Sequence, residues 1–151
     1  MSNSYTYDKQ LSESQAKKKG KEIREAYVAA IPGLKELLEA VHKASERGYV
    51  RGLDNRRILC DSRHKSLNYL IQGSSAIIAK RWMVLANERL PKDTRQLAFI
   101  HDELQFETKE SEVEQLKSLL ETTATEAGEY YNMRCPVAAE AKNGRTWADV
   151  H

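Results

Sequence analysis

Cysteine is scarce in this chain of 151 residues, with only Cys60 and Cys135 present. Two cysteines without metal-ligand spacing exclude a disulfide scaffold and a thiolate metal site, and they fit a reducing compartment, so a cytoplasmic location is expected. Long apolar runs are also missing. None approaches the roughly 20 residues that a membrane span needs, and the start, MSNSYTYDKQ, lacks the apolar core of a secretory signal. No internal repeat or low-complexity tract occurs. Net charge is nearly absent too: 30% of residues are charged, yet the formal balance is only +2. That mean hides an asymmetry. Lys17, Lys18, Lys19 and Lys21 cluster early, as do Arg51, Arg56, Arg57, Arg63, His64 and Lys65, whereas the stretch from Glu103 to Glu129 is acidic. A basic half fits either a polyanionic partner such as nucleic acid or an ordinary solvated face.

What is present reads as one domain large enough to bury a core. A polar tail over 1–9 precedes helical patterning over 11–47, interrupted at Ile31-Pro32-Gly33. Proline ends or kinks one helix and is suited to the first turn of the next. Gly48 closes this region, and a hairpin over 49–60 turns at Asp54-Asn55. A long helix over 63–90 follows and stops at Pro91. Leu67, Ile71, Ser74, Ile78 and Leu85 form an apolar stripe on it, widened by Leu70, Ile77 and Val84. Its other side carries a polar row, His64, Asn68 and Gln72, continued by Ser75. Such a row can donate and accept without demanding a charge, and it can equally be a plain solvent face. A hairpin over 96–108, a helix over 110–131 with Val113, Leu116, Leu120 and Ala124 inward, and a strand over 136–142 complete the pattern. Asn143-Gly144 turns the chain and Trp147 anchors its end. Strands and helices do not alternate regularly, so the class is α+β.

The second hairpin lacks the turn residues it ought to have. AFIHDELQF, residues 98–106, places His101, Asp102 and Glu103 where Asn or Gly would ease the turn. Asp102-Glu103 also sets like charges side by side, which raises the cost of ionising both. A hard cation such as Mg2+ relieves that repulsion and binds through one or two carboxylates plus substrate phosphates. Local rules broken in this way tend to fall at functional sites.

These residues also carry a resemblance. Ile100-His101-Asp102-Glu103-Leu104 resembles the third signature motif of family A DNA polymerases, the group of bacterial polymerase I and certain phage replicative polymerases. Asn68-Tyr69-Leu70-Ile71-Gln72-Gly73-Ser74 resembles the family's Asn-x-x-x-Gln-Gly-[Ser/Thr] helix at the expected interval upstream. Gly52-Leu53-Asp54-Asn55-Arg56-Arg57 resembles the hairpin before that helix, and Ile31-Pro32-Gly33-Leu34 the segment after the fingers. Glu140, Trp147 and His151 resemble the family's terminal pattern, so the chain is expected to end where those polymerases end. The likeness covers residues 10–151.

The resemblance implies a palm-type antiparallel sheet with long helices, the C-terminal part of a right-hand polymerase fold. It implies that Asp102 is a ligand of a catalytic Mg2+ pair, that Glu103 supports it, and that His101 lies near the primer 3′ end. Gln72 and Asn68 would touch the minor-groove side of primer-template DNA, where acceptors stand in similar places for all correct pairs. Arg56 and Arg57 would help hold the DNA backbone. His64 stands where phage-type members carry histidine and bacterial ones arginine, which places the chain nearer the phage type, acting in a bacterial host's cytoplasm.

The family's other aspartate motif, Asp-x-Ser-x-x-Glu, is missing from this sequence, as is its nucleotide-gripping fingers helix. The expectation is therefore a C-terminal subunit or fragment of a split polymerase. An N-terminal subunit would complete the two-metal site for dNTP addition, and the chain alone would be inactive. A catalytically inactive DNA-binding or structural remnant, or an unrelated His-Asp metal hydrolase, are the competing readings.

Overall fold

A computed structural model describes residues 12–150. The tail expected over 1–9, the helix start at Leu11 and the terminal His151 lie outside the described residues. Helix α1 (Glu13–Ala30) opens on a reciprocal cap: the Gln15 amide donates to Ser12 Oγ, and the Ser12 amide donates to Gln15 Oε1. It stops where Pro32 removes a donor. Gly33, at φ 82°, then serves as the N-cap of α2 (Leu34–Ser45). Gly48, at φ 83°, turns the chain into β1 (Tyr49–Arg51), which pairs antiparallel with β2 (Arg57–Leu59).

A single 3-10 turn (Arg63–Lys65) leads into α3 (Ser66–Asn87). Strands β3 (Arg95–Ile100) and β4 (Glu103–Glu107) form the second hairpin, with a bulge between Gln96 and Ala98. Another 3-10 turn (Glu110–Glu112) opens α4 (Val113–Tyr130), and a last one (Trp147–Asp149) lies near the end. The α+β expectation holds. The antiparallel pairing is divided between two separate two-stranded sheets.

The core lies between α3 and α4. Ala86, Leu116 and Leu120 are buried together, and Trp82, Leu90, Phe106 and Leu119 pack around them. Trp82 Nε1 donates to the Leu120 carbonyl at 2.9 Å and ties the two helices. The inward face expected for α4 is observed, with Leu116, Leu120 and Ala124 buried. The stripe expected on α3 is only partly buried: Ile71 and Val84 are 52% and 42% exposed. The reason is that α3 serves several neighbours, α2 and the β1–β2 hairpin as well as α4. Gly73 and Ile77 lie at the hairpin while Trp82 ties to α4, so the covered face changes along the helix.

The strand expected over 136–142 does not form. Val137, Ala139 and Ala141 do alternate with exposed neighbours, as a half-buried strand would. Their support is a helix, however. Thr125 Oγ1 donates to the Val137 carbonyl at 3.1 Å, the Ala141 amide donates to Glu121 Oε1 at 3.3 Å, and Val137 fills the notch at Gly128. Side chains of α4 thus meet two of its backbone groups where a ladder would otherwise have done so.

Candidate active site

The β3–β4 hairpin closes on the pair Ile100–Glu103, so its loop is His101-Asp102. Glu103, expected in the turn, is instead the first residue of β4. His101 takes the positive φ that the first loop position demands, at 56°. Histidine tolerates this region better than most side chains, though at a cost of about 1–3 kcal/mol. The consequence is a division of the two acids. Asp102 is exposed at the tip, whereas Glu103 is half-buried on the strand and accepts a hydrogen bond from the Gln105 side chain. His101 is exposed beside Asp102.

The polar row of α3 is as the sequence spacing requires. His64, in the turn before the helix, and Asn68, Gln72 and Ser75 are all exposed. Gly73, in the same motif, answers a packing need: the Ile58 δ-methyl occupies the place that a Cβ on it would take. The hairpin β1–β2 thus rests directly on the helix that carries the row.

The two arginines expected at the DNA backbone have different surroundings. Arg56 pairs with Asp54, whose Oδ1 also accepts the Arg56 amide at 3.1 Å, so this side chain helps hold the turn. Arg57 lies over the Tyr49 ring, 4.8 Å from its centroid. Sequence reasoning missed a second anchor at the start of α3. Tyr69 Oη donates to Asp61 Oδ1 at 2.7 Å, and this bond holds the Asp61 carboxyl below its ordinary range and raises the Tyr69 phenol. Eight residues separate the pair, a spacing that no periodicity flags.

Among the described residues, no group of three or more His, Cys, Asp or Glu side chains stands ready to hold a metal. The hairpin offers one exposed carboxylate and one half-buried one. That donor set suits a hard cation which takes one or two protein carboxylates and draws its remaining oxygens from phosphates and water.

Comparison with known proteins bears directly on this arrangement. The sequence model of DNA polymerase family A matches residues 4–149. The DNA-directed DNA polymerase of Escherichia phage Phieco32 is 32% identical over 87% of this chain and 23% of its own length. That of Escherichia phage T7 is 29% identical over 89% of this chain and 23% of its own length. DNA polymerase I of Bacillus caldotenax is 32% identical over 89% of this chain and 17% of its own. The chain therefore spans about a quarter or less of these relatives. Among solved structures, the POL domain of Pol1 from M. smegmatis, in complex with DNA primer-template and dNTP, superposes with a TM-score of 0.76. It is 28% identical and covers 91% of this chain and 27% of that one. Phage polymerases and bacterial polymerase I meet in these matches, the hairpin and polar row fall inside the matched range, and the chain belongs to DNA polymerase family A.

Proposed function

We propose that this chain is the C-terminal palm portion, over 10–151, of a phage-type family A DNA-directed DNA polymerase. It works in the cytoplasm on primer-template DNA and dNTP. The observation that carries the reading is the position of Asp102: an exposed carboxylate on a two-residue tip, next to a histidine whose backbone is held at positive φ. A tip built only to reverse the chain would use Asn-Gly or Asp-Gly and avoid that cost.

In this reading Asp102 would hold one side of the Mg2+ pair, with Glu103 in a supporting place beside it. A bound metal pair would supply Lewis-acid activation for the primer hydroxyl and charge stabilisation for the pyrophosphate. Glu103 accepts from Gln105 on β4, directly below the tip. His101 orients the primer end. Gln72 and Asn68 donate to the minor-groove acceptors common to all correct pairs and so test pair geometry without reading sequence. His64 extends that row, and Arg57 faces the backbone. The second aspartate motif and the fingers, which these 151 residues do not contain, would come from a partner subunit or from a preceding segment of a longer chain.

The test is single-turnover incorporation by the complex with that partner, with DNA affinity measured separately. Asp102→Asn keeps size and removes charge. Its chemical step should fall roughly 10³-fold, on the scale of other losses of preorganised electrostatic stabilisation. DNA affinity should change little, since phosphate contacts dominate it. Glu103→Gln should do less. Incorporation at the wild-type rate by Asp102→Asn would refute the catalytic role, and a complex that binds DNA but never extends would identify a remnant.

A further inference from the structure

The charge asymmetry of the sequence resolves into two different surfaces. On α1 three of the four lysines are compensated: Lys17 pairs with Glu13, Lys19 with Glu22 and Lys21 with Glu25. On the β1–β2 hairpin Arg56 pairs with Asp54, but the arginines of the strands are not compensated. The register sets Tyr49 opposite Leu59 and Arg51 opposite Arg57, so these four side chains share the outward face, while Val50 and Ile58 point inward. Arg47 joins them from the preceding turn. Its guanidinium also lies 4.8 Å from the Tyr49 centroid, the same distance as that of Arg57. The two charges on one ring therefore stand within about a Debye length of each other at physiological salt. Arg51 and Arg57, directly opposite across the strands, are a like-charge pair of the kind that destabilises a sheet.

None of the three arginines forms an ion pair among the described residues. Arg47 Nε donates to the Tyr49 carbonyl at 3.4 Å and Arg51 Nη1 to the Asn55 carbonyl at 3.1 Å, so most of their five N–H donors remain outward. Stacking on an aromatic ring fixes a guanidinium without neutralising it. Three preorganised, mutually repelling guanidiniums on one small face are matched by an anion with closely repeated charges.

We propose that the outward face of the β1–β2 hairpin, with Arg47 and Arg57 over the Tyr49 ring and Arg51 opposite Arg57, is a phosphate-binding track for the backbone of duplex DNA. The identity of the polyanion rests on the polymerase reading above. The track itself is separate from the His101-Asp102 tip and adds Arg47, Arg51 and Tyr49 to the residues that the sequence motifs single out. Duplex DNA presents one negative charge per about 1.7 Å of its axis, dense enough to face all three guanidiniums. Because Ile58 on the inner face of the hairpin sits against Gly73 of α3, the track and the polar row move as one unit.

The test is the salt dependence of duplex binding by the 151-residue chain, with a blunt duplex and a single strand of the same length as probes. Arg47→Gln with Arg51→Gln should lower the slope of log affinity against log salt by roughly 1.8, at about 0.9 per lost phosphate contact. Tyr49→Phe should bind like wild type, whereas Tyr49→Leu should weaken binding several-fold with the slope largely kept. All these positions are at least partly exposed, and circular dichroism melts confirm that each variant folds. An unchanged slope in the double arginine variant overturns the track, as does a chain that prefers the single strand or binds no duplex. Gln72→Ala, measured beside it, separates the two claims: weakened binding there with intact binding in the arginine variant sinks the track and leaves the polymerase reading standing.

Discussion

Gly73→Ala sets local helix propensity against packing, and the structure says which wins. Gly73 lies in the interior of α3, and replacing an interior helical glycine with alanine ordinarily stabilises by about 1 kcal/mol. Here the Ile58 δ-methyl already occupies the place of the new Cβ. That methyl is the end of the Ile58 side chain, so Ile58 must change its rotamer between α3 and the Gly52 backbone to make room. Overpacking of this kind costs about 1–3 kcal/mol. The net expectation is a loss of up to about 2 kcal/mol, opposite in sign to the propensity effect. Ile58→Val removes the offending methyl at a cost of about 0.5–1.5 kcal/mol on its own. In the double variant the clash is gone and the helical gain returns, so the two substitutions should couple by about 1–3 kcal/mol. Urea unfolding of the four proteins, followed by far-ultraviolet circular dichroism, completes the cycle. A more stable Gly73→Ala whose effect adds to that of Ile58→Val within about 0.5 kcal/mol would refute the contact.

Trp82→Phe should lower stability by about 1 kcal/mol, or roughly 2–4 °C in melting temperature, rather than the larger cost of an orphaned group. The Leu120 carbonyl lies inside α4 and keeps its helical i+4 donor, and thermal melts check the figure. Asp149 accepts from the Thr146 amide at 2.7 Å and its hydroxyl at 2.9 Å, and the amide bond is the larger cause that holds its carboxyl below the ordinary range. A depressed carboxylate stabilises above its unfolded pKa of about 3.9, and the contribution is lost as pH falls through the lowered folded value. Trp147 fluorescence, recorded in a Trp82→Phe background, should therefore shift only below that ordinary value. Asp149→Asn should flatten the titration, and an identical titration in that variant would count against the cap.

The helices were legible because their boundaries are chemical. Pro32, Gly33 and Gly48 each act where the sequence places them, and the spacing of Leu116, Leu120 and Ala124 fixes the buried face of α4. Both hairpins were legible as pairs of strands, but the register of the second was not. Which acid enters the loop depends on His101 accepting a positive φ, a choice that composition does not announce. The error over 136–142 has a different origin. Alternating burial at Val137, Ala139 and Ala141 records a covered side, and that cover can be a strand or a helix. The contacts of Tyr49 with two arginines and of Tyr69 with Asp61 were invisible because they join residues at no regular interval.

The division of the strands into two sequence-local hairpins has a consequence for the order of assembly. A hairpin forms in about 1–10 μs, whereas a ribosome adds about 5–20 residues per second. Each hairpin can therefore close soon after it leaves the ribosome, without waiting for distant chain. The cover arrives later: α4, whose Leu116 and Leu120 pack against Phe106, is 18 residues long and takes roughly 1–4 s to synthesise. During that interval the apolar side of β4 and both edges of its hairpin stay uncovered. Slower decoding across Val113–Tyr130 would lengthen that exposure, and aggregation during synthesis would rise with it while the finished fold stayed the same.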